Sequence, residues 1–300
     1  MMKTLGIESN FLAIEDRYST FDRSRVVILP IPYEMTVSYG GGTKEGPAAI
    51  LRASHFVEFY DEETHREVYR ELGIATVGPL DLENKRDEDA LNDIYEVTKM
   101  FRDNQKFVVA LGGEHTISQA LIAAHAERDP NLSVLQIDAH SDLRQDYQDN
   151  KFSHASVMAR VCEFLSPRRL VQVGIRAQCI EEAEFIQQQG VTTLYAHEIR
   201  GGKYTKILKS WEDYAIDQLT ENVYVTFDVD GLDPSIMPST GTPEPNGLFW
   251  HETMSFLRRL GQRKNIVGCD IVELSPIQGL HHADLTAAKL VSKMINYFVK

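Results

Sequence analysis

Ser133-Val134-Leu135-Gln136-Ile137-Asp138-Ala139-His140-Ser141-Asp142 is a nearly continuous apolar run that stops on three potential ligands at alternate positions. A run with no polar alternation reads as a strand buried on both faces, as in a parallel sheet. Seven runs of the same kind accompany Ser133 to Ala139: Arg25 to Ile31, Leu72 to Val77, Lys106 to Gly112, Leu170 to Ile175, Val191 to Ala196, Asn222 to Val229 and Ile266 to Glu273. Segments with helical spacing lie between most of them, such as Glu88 to Arg102 with Leu91, Ile94, Val97 and Phe101, and Thr116 to Arg128 with Ile117, Leu121, Ile122 and His125. Strand alternating with helix predicts an α/β architecture. Eight such units close into a barrel or lie open as a doubly wound sheet, and periodicity does not choose between them; in both, working groups belong at the carboxyl ends of strands.

The wider composition sets the class of molecule. Across 300 residues, 43% are hydrophobic and 25% charged, which excludes disorder and coiled coil as whole-chain descriptions. No repeat or Pro/Gly/Ser linker marks a boundary, so residues 1–300 are expected to form a single domain. A net charge of -13 without a basic cluster argues against nucleic acid and anionic membranes as partners. The odd set Cys162, Cys179 and Cys269, with no C-x-x-C pair, suggests neither a disulfide framework nor a thiolate zinc site. With no apolar leader and no run of about 18 apolar residues, the expectation is a cytoplasmic protein.

Three strand ends carry the chemistry: Gly112-Gly113-Glu114-His115, then Asp138-Ala139-His140-Ser141-Asp142, then Asp228-Val229-Asp230-Gly231-Leu232-Asp233-Pro234. If the second segment is extended, its alternate side chains share a face. His115, Asp138, His140, Asp142, Asp228 and Asp230 offer two imidazoles and four carboxylates, a donor set that suits Mn²⁺ and, less selectively, Zn²⁺, Fe²⁺ or Co²⁺. Four carboxylates crowded together repel one another unless a cation joins them, and the ligand supply suggests two ions. A lone D-x-D or a single histidine after a strand is ordinarily a turn former or cap; the combination at three strand ends is much more specific.

At these motifs the sequence resembles the ureohydrolase family, which includes arginases and agmatinases. The resemblance runs from Tyr39-Gly40-Gly41-Gly42 with Gly46-Pro47 to Gly268-Cys269-Asp270-Ile271-Val272-Glu273-Leu274-Ser275-Pro276. It implies an open three-layer α/β/α sandwich around a parallel eight-stranded sheet, and two Mn²⁺ ions per subunit. It also implies that His115, Asp138, Asp142 and Asp228 hold one ion and that His140, Asp138, Asp228 and Asp230 hold the other, with a bridging hydroxide attacking a guanidinium carbon. Glu273 is implied to pair with the guanidinium, and His154 to protonate the departing amine; a strand-end cap and a solvated loop histidine are their alternatives. Thr242 is a weaker candidate beside the substrate. The segment Leu143 to His154 lacks the arginase-type Ser-Gly-Asn-Leu-His-Gly and is similar to the agmatinase branch, with Asp146 and Asp149 available to a cationic tail and Arg144 to a carboxylate. The implied reaction is hydrolysis of agmatine to putrescine and urea, in polyamine synthesis, by a homo-oligomer of three or six copies. N1-aminopropylagmatine and then guanidinobutyrate are the alternative substrates, and a metal-binding regulatory relative without activity is the alternative of another class. His281 and His282 read as helix-start residues, Tyr39 to Gly42 as a turn, and Arg176 as either a site residue or the partner of an acid.

Overall fold

A computed structural model describes residues 2–206 and 210–300. Eight strands form one sheet in the order β2-β1-β3-β8-β7-β4-β5-β6, every neighbouring pair parallel. They are β1 (Val26–Ile31), β2 (Ile74–Thr76), β3 (Phe107–Gly112), β4 (Ser133–Ile137), β5 (Leu170–Ile175), β6 (Thr192–Tyr195), β7 (Asn222–Asp228) and β8 (Asn265–Val272). The two end strands, β2 and β6, pair on one side only, so the sheet is open and not a barrel.

Alternate residues of each strand feed opposite cores, which is why the runs are apolar throughout. Val109, Leu111, Leu135, Ile137, Val225 and Phe227 pack with the helices Gly46–Ser54, Trp211–Gln218, Trp250–Arg263 and His281–Phe298. Val108, Ala110, Val134 and Tyr224 pack with Asp87–Asp103, Ser118–Ala126, Val157–Phe164 and Ile180–Gln189 on the other face. The result is the expected α/β/α sandwich. His281 and His282 open the last helix as exposed residues. Among the described residues no helix is long and apolar enough to cross a membrane.

The second strand is shorter than its apolar run. Leu72 ends a helical turn, Val68–Leu72, and Gly73 then turns the chain at φ +68°, where a Cβ would lie 2.9 Å from the Ser24 Cα.

Register brings the motif-bearing ends level. Phe227 pairs with both Ile137 and Ile271, so the residues that follow, Asp228 and Asp138, leave the middle of the sheet side by side. The central strands β3, β8, β7 and β4 form a crevice at their carboxyl ends, the usual place for a ligand in an open parallel sheet.

Candidate metal centre

Asp138 stands one residue past β4, fully buried, and turns its two oxygens in different directions. Its Oδ2 lies 3.1 Å from His115 Nδ1 and its Oδ1 lies 3.7 Å from His140 Nδ1. His115, in the helical turn that follows β3, also brings Nδ1 to 3.0 Å from Asp142 Oδ2 and 3.4 Å from Asp228 Oδ2. His140 Nδ1 lies 3.0 Å from Asp230 Oδ2. Two clusters able to hold an ion thus share Asp138: His115 with Asp138 and Asp142, and His140 with Asp138 and Asp230.

The alternate spacing of Asp138, His140 and Asp142 does not act through an extended strand. Regular β4 ends at Ile137, and Asp142 converges on the site because its backbone turns left-handed, at φ 53°. In the same way Asp230 is brought round by the turn Val229–Gly231, with the Asp228 side chain accepting from the Asp230 amide at 2.8 Å. Gly231 makes that turn possible, since a Cβ there would lie 2.9 Å from the Asp138 amide nitrogen. Glu273 follows β8 at φ 66°, a second non-glycine residue in the left-handed region at the same site.

The proton inventory fits a cation between these groups. Thr226 donates its hydroxyl to Asp270 Oδ1 at 2.7 Å, so His115 Nε2, 2.8 Å from that hydroxyl, is the donor to it. In the neutral ring Nδ1 is then left with a lone pair, buried and without a hydrogen-bond partner, facing three carboxylates. A lone pair among carboxylate oxygens is repulsive unless a positive charge lies between them.

The electrostatics point the same way. Burial drives the Asp138 carboxyl up to about 7, with the Asp142 and Asp230 charges adding to it, and it raises Asp228 well above the carboxylate range. Burial would lower His115, but Asp138, Asp142 and Asp228 outweigh it and raise the ring well above its ordinary value. Burial likewise opposes the charged form of His140, yet Asp230 and Asp138 push it up to about 11, and His140 in turn holds Asp230 low against its own burial. Each shift expresses the same demand for positive charge inside the cage.

A cavity of about 330 Å³ opens above this cage, and His115, His140, Asp142, Asp228, Asp230, His154, Thr242 and Glu273 all line it. Glu273 Oε1 accepts the His115 amide at 2.6 Å, and burial with the nearby Glu114 charge raises its carboxyl well above the usual range. The His154 ring is lowered, chiefly by burial.

Other expected contributors lie elsewhere. Asp146 and Asp149 are exposed and do not line the cavity, whereas Arg144, Tyr147 and the buried Glu182 do. Arg176 neither lines the cavity nor pairs with a carboxylate; its guanidinium donates to the backbone carbonyls of Asp230, Leu232 and Glu244, which fastens the Asp230 turn. Tyr39 is 86% exposed, while its neighbour Gly40 lines the cavity. Thr36, Glu114, Glu182, Thr226 and Asp270 carry the site's supporting bonds and were not singled out as site residues by the sequence. Glu114 and Asp270 sit inside the quoted motifs; a hydroxyl inside a strand such as Thr226 and a loop threonine such as Thr36 carry no pattern of their own.

A family model described as the arginase family matches residues 24–296. The N(1)-aminopropylagmatine ureohydrolase of Synechocystis sp. is 39% identical over 287 residues, covering 93% of this chain and 91% of that protein. The agmatinase of Bacillus cereus is 32% identical, covering 94% and 95%. Among solved structures, the agmatine ureohydrolase of Thermoplasma volcanium superposes with a TM-score of 0.81 at 29% identity, over 93% of this chain and 91% of that one.

Proposed function

The chain belongs to the arginase family, and from that premise we propose that it is a metal-dependent agmatinase, hydrolysing agmatine to putrescine and urea. The observation that carries the proposal is the pair of cages sharing Asp138 beneath a cavity that also holds Glu273 and His154.

In this reading His115, Asp138, Asp142 and Asp228 hold one divalent ion and His140, Asp138, Asp228 and Asp230 the other, with Asp138 and Asp228 common to both. Oxygen donors with two imidazoles and no thiolate suit Mn²⁺. Bound there, the ions supply Lewis acidity and a water whose pKa is brought toward neutrality. The protein's own groups do the rest. Glu273, with Oε1 fixed by the His115 amide, offers its carboxylate to the planar guanidinium by charge-assisted hydrogen bonds and orients the carbon under attack. The permanently charged guanidinium restores to Glu273 the ionisation that burial disfavours. His154, whose neutral form burial favours, would take up the proton released by the attacking water and pass it to the departing amine. Thr242 is a further wall residue within reach of the substrate.

A second reading, N1-aminopropylagmatine as the substrate, is favoured by the greater identity to the Synechocystis relative. A carboxylated guanidine such as guanidinobutyrate comes third, with Arg144, the arginine among the described residues of the cavity wall, to meet its carboxylate. The presence of both Glu273 and His154 in one cavity argues against a metal-binding relative without activity. The same proposal includes a single domain over residues 1–300, a cytoplasmic setting, a role in polyamine synthesis, and a homo-oligomer of three or six copies, which light scattering measures.

The test is urea release by Mn²⁺-loaded protein offered agmatine, N1-aminopropylagmatine, arginine and 4-guanidinobutyrate side by side, compared as kcat/KM. Preference for agmatine supports the first reading and preference for the longer amine the second. Preference for a carboxylated guanidine overturns both, and no urea from any of them overturns the hydrolase itself.

A further inference from the structure

We propose that Thr36 and Glu114 are positioning residues for His154: the Thr36 hydroxyl, locked by the buried Glu114 carboxylate, keeps the imidazole proton on Nδ1 and leaves Nε2 to the cavity. The inference rests on the reading of His154 as the group that protonates the leaving amine, and it names what fixes the tautomer that this job needs.

The argument is a count of donors. Glu114 is fully buried between Gly113 and His115. Its Oε2 accepts the Met35 and Thr36 amides, both at 2.7 Å, and its Oε1 accepts the hydroxyls of Thr116 at 2.8 Å and Thr36 at 3.0 Å. Four donors fill the four acceptor directions of a carboxylate. The single Thr36 proton is therefore spent on Glu114, and the Thr36 oxygen can only accept from its other neighbours. Those neighbours both belong to His154: its backbone amide at 3.0 Å and its ring Nδ1 at 3.1 Å. An acceptor facing Nδ1 demands a proton on Nδ1, so the lone pair of the neutral ring lies on Nε2. Ser153 Oγ is more distant from Nδ1, at 3.4 Å, and is engaged by the Ala155 amide.

The loop that carries Thr36 is itself built rather than loose. Glu34 accepts the amides of Gly42 at 2.8 Å and Lys44 at 2.9 Å, closing the segment whose Val37, Ser38 and Gly40 line the cavity. The device also occurs twice. His115 rides on Thr226 backed by Asp270, which frees Nδ1 for the cage; His154 rides on Thr36 backed by Glu114, which frees Nε2. Without the carboxylate a threonine hydroxyl rotates and donates to the ring instead, which moves the proton to the other nitrogen.

The experiment compares Thr36→Val, which keeps the shape and loses the hydroxyl, with Thr36→Ser, which keeps the hydroxyl. On Mn²⁺-loaded enzyme, Thr36→Val should lower kcat by about 10- to 100-fold with KM within about twofold, and Thr36→Ser should recover most of the rate. In the His154→Ala background Thr36→Val should add little, because the two act as one unit. A readout independent of turnover is the ¹⁵N NMR spectrum of histidine-labelled, Zn²⁺-loaded wild-type protein, with His154→Gln for assignment. A protonated Nδ1 and a bare Nε2 on neutral His154 support the proposal, and a protonated Nε2 overturns it even if Thr36→Val fails to fold. Wild-type turnover by Thr36→Val also overturns it. Full activity of His154→Ala would overturn instead the role given to His154, while the NMR result would still judge the hold by Thr36 and Glu114.

Discussion

Thr226 Oγ1 lies 2.8 Å from His115 Nε2, and that contact decides which nitrogen of the ring faces the carboxylates. The hydroxyl comes from the middle of β7 and is backed by Asp270 on β8, so the orientation of His115 is built into the sheet. Removing such a support typically weakens metal binding by about 10- to 100-fold. Thr226→Val should show a loss of that size for Mn²⁺ by titration calorimetry, and Thr226→Ser should stay near wild type. Equal affinity in wild type and Thr226→Val would mean that packing alone sets the ring.

The ligand and substrate roles separate by what each substitution leaves behind. Asp138→Asn and Asp228→Asn each remove a carboxylate common to both proposed ions, so metal retained after dialysis should fall sharply by elemental analysis. Glu273→Gln should keep the metal and lose turnover, because its carboxylate is the one proposed to meet the substrate and not the ions. Full metal content and rate in Asp228→Asn would refute the shared-ligand assignment.

Much of this was legible in the residues, for reasons that also explain what was not. Strands buried on both faces announce themselves as unbroken apolar runs, and all eight runs became strands. The clustered donors proposed as ligands were legible as candidates because Asp138, His140, Asp142, Asp228 and Asp230 sit where apolar runs stop. How they converge was not, since the left-handed turn at Asp142 leaves no trace in a sequence without glycine there. Nor was one of the carboxylates of the cavity wall. Glu182 reaches the cavity wall from the first turn of a helix more than thirty residues past Asp146 and Asp149, which look more available and point to solvent. Its oxygens accept the Leu143 and Cys179 amides, a capping arrangement that reads locally as helix chemistry.

Metal should stabilise the fold as well as complete the site, because the four carboxylates are a burden to the folded chain without it. A ligand that binds only the native state adds about 3 kcal/mol when free ion reaches about a hundred times its Kd, which raises Tm by several degrees. Scanning calorimetry at pH 8 should show wild type gaining that increment with Mn²⁺ and losing it with chelator. Asp138→Asn should behave in the opposite sense, more stable than wild type under chelator and nearly indifferent to Mn²⁺. An Mn²⁺ response in Asp138→Asn as large as that of wild type would refute the central place of this carboxylate.

His125 provides a pH test remote from the metal cage. Its ring is 4% exposed and packs against Tyr224 with centroids 5.1 Å apart, while Nδ1 donates to the Leu121 carbonyl at 2.8 Å. Burial pulls its pKa down to about 4, with the Leu121 hydrogen bond opposing that only in part. An unfolded histidine titrates near 6.5, so between roughly 6.5 and 4 the unfolded chain binds a proton that the folded protein refuses. Stability from this group is therefore complete above pH 6.5, falls as pH drops through that window, and has lost about 2 kcal/mol by pH 5. Urea unfolding at pH 7.5 and pH 5 under chelator should show His125→Gln less stable than wild type at the higher pH, through lost packing. The gap should shrink by about that 2 kcal/mol at the lower pH, because the variant has no such proton to exclude. A gap that stays constant between the two pH values would mean that His125 titrates alike in the folded and unfolded chain.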